Sequence, residues 1–334
     1  MGVNLSHLHL VLNHVPTVGM AVAVGLLFLG VARRLDGLKH VGLEVLFIIA
    51  VVTMPAYMTG LAARLELVEQ PGISDAATRR HHDAALAGFA VTEIAGFGAW
   101  VALWQARRRG RPSPVMVGGV LVLAVGALAL MGRAANLGGE IRHPEIVSGV
   151  TAVAGGGAAA EGAVAEGAAA PAVPTDADVA SEYVTAAIGV MMVDSTWVWP
   201  AAEAVHFIGL SLTFGVLLAV NLRILGAMKN VPFADIHRLL PWGMLGFGAN
   251  FVTGMLFVIG QPRQYMESDP FYWKVGLMLI AGANFLYLTV FKRGWTTERF
   301  QATLADRAMA LSSIVVWLGV LYAGRMLPFL GKAF

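Results

Sequence analysis

Histidine is the residue type in this chain best placed to do chemistry. There are nine among 334 residues, an ordinary number, and no cysteine at all. His14, the pair His81 and His82, and His206 each stand near the start of a long apolar run. The three runs read as helices that descend through a membrane in the same direction. Measured to the far end of its own run, His14 lies 18 residues above Ala32, His82 lies 22 above Trp104 and His206 lies 17 above Arg223. At ~1.5 Å per residue these are heights of roughly 27, 33 and 25 Å, which is one shared outer layer.

Imidazoles supplied by two helices at one level are what a b-type haem needs, since both axial ligands come from the protein. Four-helix bundles supply cofactor ligands from facing helices. The candidate haem or metal ligands are therefore His14, His81, His82 and His206, with His14 and His81 or His82 as an outer pair. His206 can serve a second cofactor or meet the first across the chain's two halves. His40 and His237 form an inner pair. Histidines at interface depth also bond to headgroups and water, and His7, His9 and His143 are read that way. Glu203 precedes His206 by three residues, a spacing seen in di-iron bundles. Such centres need a second motif and two more glutamates, so Glu203 is read as part of a cofactor's surroundings. Lys274 falls at the same level and could pair with it. Glu93 lies nine residues into its run, where a carboxyl is costly unless paired or functional. The 15 methionines show no Met-x-x-Met copper pattern.

These side chains must be positioned by membrane helices. The chain is 57% hydrophobic and 13% charged, against about 25% charged in soluble domains, with mean hydropathy +0.70. Net charge is +2, which gives no basic excess for nucleic acid. The absence of cysteine excludes disulfides, thiolate metal sites, iron–sulfur clusters and covalent c-type haem. Eight spans are expected, over 5–32, 41–63, 84–104, 114–132, 200–222, 239–260, 275–291 and 308–327. Pro55 inside the second is tolerated in lipid when neighbours satisfy the freed carbonyl. The first span is too long for a signal-peptide core and is read as retained. Val179 to Ser195 reads as an amphipathic segment lying on the membrane, with Trp197 and Trp199 as interfacial anchors.

The stretch GGGAAAEGAVAEGAAAPAVP at 155–174 is low in complexity and reads as a flexible linker. The expected fold is thus all-α: eight transmembrane helices in two four-helix bundles, 1–142 and 181–334, joined by a Gly/Ala/Pro-rich linker at 143–180. Lys and Arg concentrate after the odd-numbered spans, most densely at Arg107–Arg111, which puts those loops in the cytoplasm and both termini in the periplasm. The localisation implied is the bacterial inner membrane, multi-pass. No Walker loop, dinucleotide fingerprint, serine nucleophile motif or HExxH is present, which disfavours a stand-alone hydrolase or a nucleotide-driven pump.

Two local patterns carry a resemblance. NLSHLHLVLNHVPTVG, MPAYMTG (54–60) and HHDAAL (81–86) resemble a group of uncharacterised four-helix bacterial membrane domains. WVWPAAEAVHFIGL (197–210), LRILG (222–226), HRLLPW (237–242) and WKVGLMLIAGANF (273–285) resemble a second such family, itself distantly similar to the membrane domain of copper-resistance D proteins. The resemblance implies that His14, His81, Glu203, His206 and His237 belong to family motifs. It implies little about chemistry, and this chain departs in fusing the halves through its long linker.

Three functions follow as expectations. The first is an electron-transfer subunit holding haem b near the periplasmic face and linking a periplasmic cytochrome or oxidoreductase to the quinone pool. The second is a transporter of copper or another metal ion. The third is a cofactor-free subunit of a larger membrane complex. Under each the chain has little soluble domain of its own, so the expected partners are other membrane subunits and lipids, and catalysis is expected from another chain.

Overall fold

The structure is a computed structural model that describes residues 4–67, 73–142, 183–228, 230–287 and 302–330. The 143–180 linker, His143, Lys229 and the stretch 288–301, which ends the seventh expected span and holds Lys292, Arg293 and Arg299, lie outside these residues. Among the described residues the regular elements are all helical: α1 (Leu5–Leu12), α2 (His14–Ala32), α3 (Asp36–Leu67), α4 (Asp75–Arg109), α5 (Pro114–Arg142), α6 (Val184–Asp194), α7 (Val198–Leu225), α8 (Phe233–His237), α9 (Leu240–Gly260), α10 (Pro262–Met266), α11 (Asp269–Leu286) and α12 (Leu304–Leu330). Among the described residues seven stretches are long and apolar enough to cross a membrane, with mean hydropathy from 1.6 to 2.4: 5–32, 36–67, 75–109, 114–141, 198–225, 233–260 and 304–327. The chain is an all-α, multi-pass membrane protein.

Local chemistry sets the helix ends. The side chain of Asn4 accepts from the His7 amide to open α1, and Ser74 Oγ accepts from the Ala77 amide to open α4. Gly110 (φ 76°) and Gly226 (φ 102°) close α4 and α7 in the left-handed conformation that costs glycine nothing. The first expected span is kept over 5–32, with a one-residue turn at Asn13, itself in helical backbone conformation, between α1 and α2, so that His14 opens the second helix.

In the first half α3 packs on α2 and α4, α4 on α5, and α5 back on α2, a closed ring. Its centre is filled by Met20, Leu27, Leu43, Leu46, Ala95, Ala99, Leu103 and Val120, all buried. In the second half α7 packs on α9 and α12, and α12 on α11. Helices α9 and α11 do not pack along their lengths; they face each other across a cavity. Helix α6, the expected surface segment, packs on α9, α4 and α7 with Met192 fully buried. The halves are clasped by Asp83 of α4, which accepts from the amides of Val184 (2.8 Å) and Thr185 (3.0 Å) and from the Thr185 hydroxyl. Deeper, Trp100 of α4 meets Phe47, Phe97, Phe247 and Phe285 at ring separations of 5.1–6.1 Å. Large apolar side chains such as Val18, Phe28, Ile94, Val122, Phe207 and Leu311 stay exposed, as a lipid-facing belt requires.

Candidate functional site

The gap between α9 and α11 is a cavity of about 990 Å³, at the upper end of the ~300–1,000 Å³ common for small-molecule and cofactor sites. It is lined by α6, α7, α9, α10, α11 and α12, and by Met54 and Met58 of α3, so both halves build it. Its walls are mostly apolar and aromatic, among them Phe247, Phe251, Phe257, Val258, Val320 and Leu321.

His206 is the imidazole of this cavity. Its Nδ1 lies 2.9 Å from Thr253 Oγ1. The single proton of that hydroxyl is directed to the backbone, Ala249 O at 2.8 Å, with Asn250 O at 3.1 Å. The hydroxyl oxygen therefore accepts from Nδ1–H, and the tautomer follows: Nε2 carries the free lone pair. No described group bonds Nε2. Asn250 Nδ2 donates to the His206 carbonyl (2.9 Å), which holds α7 and α9 in register. The ring lies against Gly254, where an added Cβ would meet Cε1 at 3.6 Å. One helix turn away Gly209 and Gly246 bring the two backbones together, since a Cβ on either would stand 2.7 Å from the other's carbonyl oxygen.

Polar groups gather at the end of the cavity away from the arginine-rich loops. Glu203 accepts from Trp199 Nε1 (3.3 Å). The ion pair with Lys274 suggested by their common level does not form, because α7 and α11 are separated here by the cavity. Lys274 makes no hydrogen bond or ion pair among the described residues, its charge acts on His206, and its end lies 3.6 Å from where a Cβ of Gly324 would be. Arg325 and Gln261 also line this end. Gln264 Oε1 is buried without a hydrogen bond, and so is the indole nitrogen of Trp317 further in. Burial and the nearby Glu203 carboxylate push the Tyr265 hydroxyl up to about 12, so it is a donor at any physiological pH. Five methionines, Met54, Met58, Met192, Met255 and Met278, face the same space.

The other sequence candidates are dispersed. His14 is exposed and has no polar partner among the described residues. His81 and His82 point apart, as neighbours on a helix do. His81 Nδ1 donates to Ala134 O of α5 (2.8 Å). His82 is buried and stacks on Tyr57 of α3 (5.6 Å), which stacks on Phe89 (4.6 Å). Phe89 reaches Phe251 of the cavity wall at 6.1 Å. The inner pair is also divided, with His40 beside Glu44 (3.4 Å) and His237 stacked on Trp104 (6.1 Å). Glu93 sits between Phe89 and Phe97 on the α4 face turned toward α9, with Oε1 buried and unbonded. Among the described residues no group of three or more His, Cys, Asp or Glu side chains could hold a metal ion.

His9, read from sequence as an interface histidine bonding to headgroups and water, is half-buried against α3. Its Nδ1 donates to Ala56 O of α3 (3.0 Å), its ring lies on Gly60, and it interacts electrostatically with His81. The signal that could have found it is the small residue opposite each inward histidine: Gly60 for His9, Gly138 for His81 and Gly254 for His206. No family model, curated protein or solved structure matches the chain.

Proposed function

We propose that the chain is an electron-transferring subunit of a bacterial inner-membrane complex, with b-type haem held in the second-half cavity by His206. The observation that carries this reading is one imidazole with Nδ1 fixed on Thr253 and Nε2 unpartnered in an apolar cavity of about 990 Å³. A ring nitrogen tied to an outer partner fixes both tautomer and orientation of the other as a ligand. Lys274 and Arg325 at the cavity's polar end would suit the two carboxylates of a haem, and the cavity methionines would be further donors to its iron. When bound, haem supplies reversible one-electron chemistry. The residues of this chain orient it, exclude water and keep its charge paired.

In this reading the chain spans the membrane eight times, with α11 in the seventh span, in two four-helix bundles. The arginine-rich loops are cytoplasmic, so the polar end of the cavity opens toward the periplasm. Electrons pass between a periplasmic cytochrome or oxidoreductase and the quinone pool, and the chain itself performs no catalysis.

The test is an optical spectrum of the purified protein, oxidised and then dithionite-reduced, with metal analysis of the same sample. A sharp reduced α-band with about one iron per haem-binding site is expected, and His206→Ala should abolish it while His14→Ala leaves it intact. Undiminished haem in His206→Ala would overturn the assignment. The five cavity thioethers favour one second reading, because soft donors select Cu(I). Bound copper with a featureless spectrum, and copper-dependent flux in liposomes, would replace the haem reading with transport.

A further inference from the structure

We infer that the arginine-rich end of α4 carries a binding site for the phosphoglycerol headgroup of an anionic phospholipid. A cavity of about 240 Å³ lies there, lined among the described residues by Trp104, Gln105, Arg108 and Arg109. It shares none of these residues with the second-half cavity. The Arg108 guanidinium stands 5.3 Å from the centre of the Trp104 indole. A cation is attracted to an aromatic face, which draws this charge to the cavity. The indole is itself held by stacking on the buried His237 of α8, at 6.1 Å with 12° between the planes. Two buried atoms of the lining residues have no hydrogen bond, the donor Nε1 of Trp104 and the acceptor Oε1 of Gln105.

Charge and position together select the ligand. Arg107, Arg108, Arg109 and Arg111 bring four positive charges to a helix end whose dipole offsets only about half of one. The described carboxylates of this end are engaged elsewhere: Asp36 with Lys39 (2.8 Å), Glu44 beside His40 (3.4 Å), Asp235 with Arg238 (3.6 Å), and Asp306 with Thr303 (2.8 Å). Neither Arg108 nor Arg109 has an ion pair among the described residues, so a phosphate meets two guanidiniums that lack a counter-charge. The hydroxyls of a phosphoglycerol can donate to Gln105 Oε1 and accept from Trp104 Nε1. Gln105 and Arg108 follow Ile94, which is 58% exposed, by 11 and 14 residues. At ~100° per residue both fall within about 40° of it, on one stripe of α4. The ~17 Å from Ile94 to Gln105 is about half the hydrocarbon thickness, so acyl chains lie on the stripe while the headgroup reaches the cavity. Basic pockets at the ends of membrane helices bind anionic headgroups in this way. A free phosphate ion would use the arginines but not the stripe.

The experiment uses delipidated full-length protein in detergent, titrated with phosphatidylglycerol, phosphatidylcholine or inorganic phosphate and read by native mass spectrometry. One phosphatidylglycerol per chain is expected, bound about 10-fold or more tighter than phosphatidylcholine. Arg108→Gln and Arg109→Gln should each weaken it by about 5-fold, and the double variant should lose the preference. Gln105→Leu should weaken it by less. A double Arg33→Gln, Arg34→Gln variant, on the same membrane face but outside the lining, should bind as the parent does. Undiminished phosphatidylglycerol binding in the Arg108→Gln, Arg109→Gln variant would sink the site. Equal loss in the Arg33→Gln, Arg34→Gln variant would reduce it to diffuse attraction to a charged face and also overturn it. Inorganic phosphate bound as tightly as the lipid, and lost in the same variants, would make the occupant a free ion and overturn the headgroup assignment.

Discussion

The two halves solve the same packing problem with opposite results. In the first, four long helices close a ring, and side chains such as Leu27, Leu46 and Leu103 are buried at its centre. In the second, α7 binds α9 through a glycine contact and α12 through the buried Asn221–Ser313 bond (3.1 Å), but α9 and α11 do not pack along their lengths. The opening is kept by what frames it. Helix α6 and the α10 turn roof one end, and Trp317, Phe247 and Thr213 form the inner end. One half is therefore a scaffold and the other a container, and the clasp at Asp83 and the ring cluster about Trp100 join them. The cavity exists because one helix interface of the bundle is left unmade.

That contrast can be broken in graded ways. The largest effect belongs to the closed ring: Leu46→Ala should cost about 2–5 kcal/mol, read as a lowered unfolding midpoint in detergent, whereas Leu321→Ala on the cavity wall should cost under about 1. Equal losses would mean the second half is as tightly packed as the first. Next, Gly246→Val forces a side chain into the Gly209 carbonyl and Leu212, and should cost about 1–3 kcal/mol as α7 and α9 are pushed apart. Asp83→Ala removes three hydrogen bonds from the start of α6 and should cost about 1–2 kcal/mol, with faster proteolysis near residue 184 and little change in the ring. The smallest effects grade the histidine seats. Alanine at Gly254 should be accommodated at 3.6 Å, alanine at Gly138 (3.0 Å) should press its ring, and alanine at Gly60 (2.7 Å) should displace it. Histidine side-chain resonances observed by NMR would report that order, and a reversed order would break the comparison.

Much of the architecture was legible before any coordinates. Runs of uncharged residues longer than a bilayer marked the spans, and Pro55 sat inside its helix as expected. The site was legible only in part. His206 stood out by type and depth. The layer that joined it to His14 did not assemble, because height along a helix says nothing of the direction a side chain faces. His14 turns outward, His82 buries against Tyr57, and His9, read as bonding to headgroups and water, turns inward on Gly60. Lys274 and Glu203 match in level but not in direction.

The sequence by itself determined that this chain is helical and built for a membrane, because burying an unsatisfied backbone in hydrocarbon is so costly that twenty apolar residues admit almost one solution. It also determined which residues could ligate, since that is a property of the side chain. Only the tertiary structure decided which of them share a space. Rotation about a helix axis and the choice of neighbouring helix are set by packing of small against large residues across sequence separations of 40 to 50 positions, as between His9 and Ala56 or His206 and Thr253. The cavity belongs wholly to that level, because it is made by the lengthwise packing that α9 and α11 do not form.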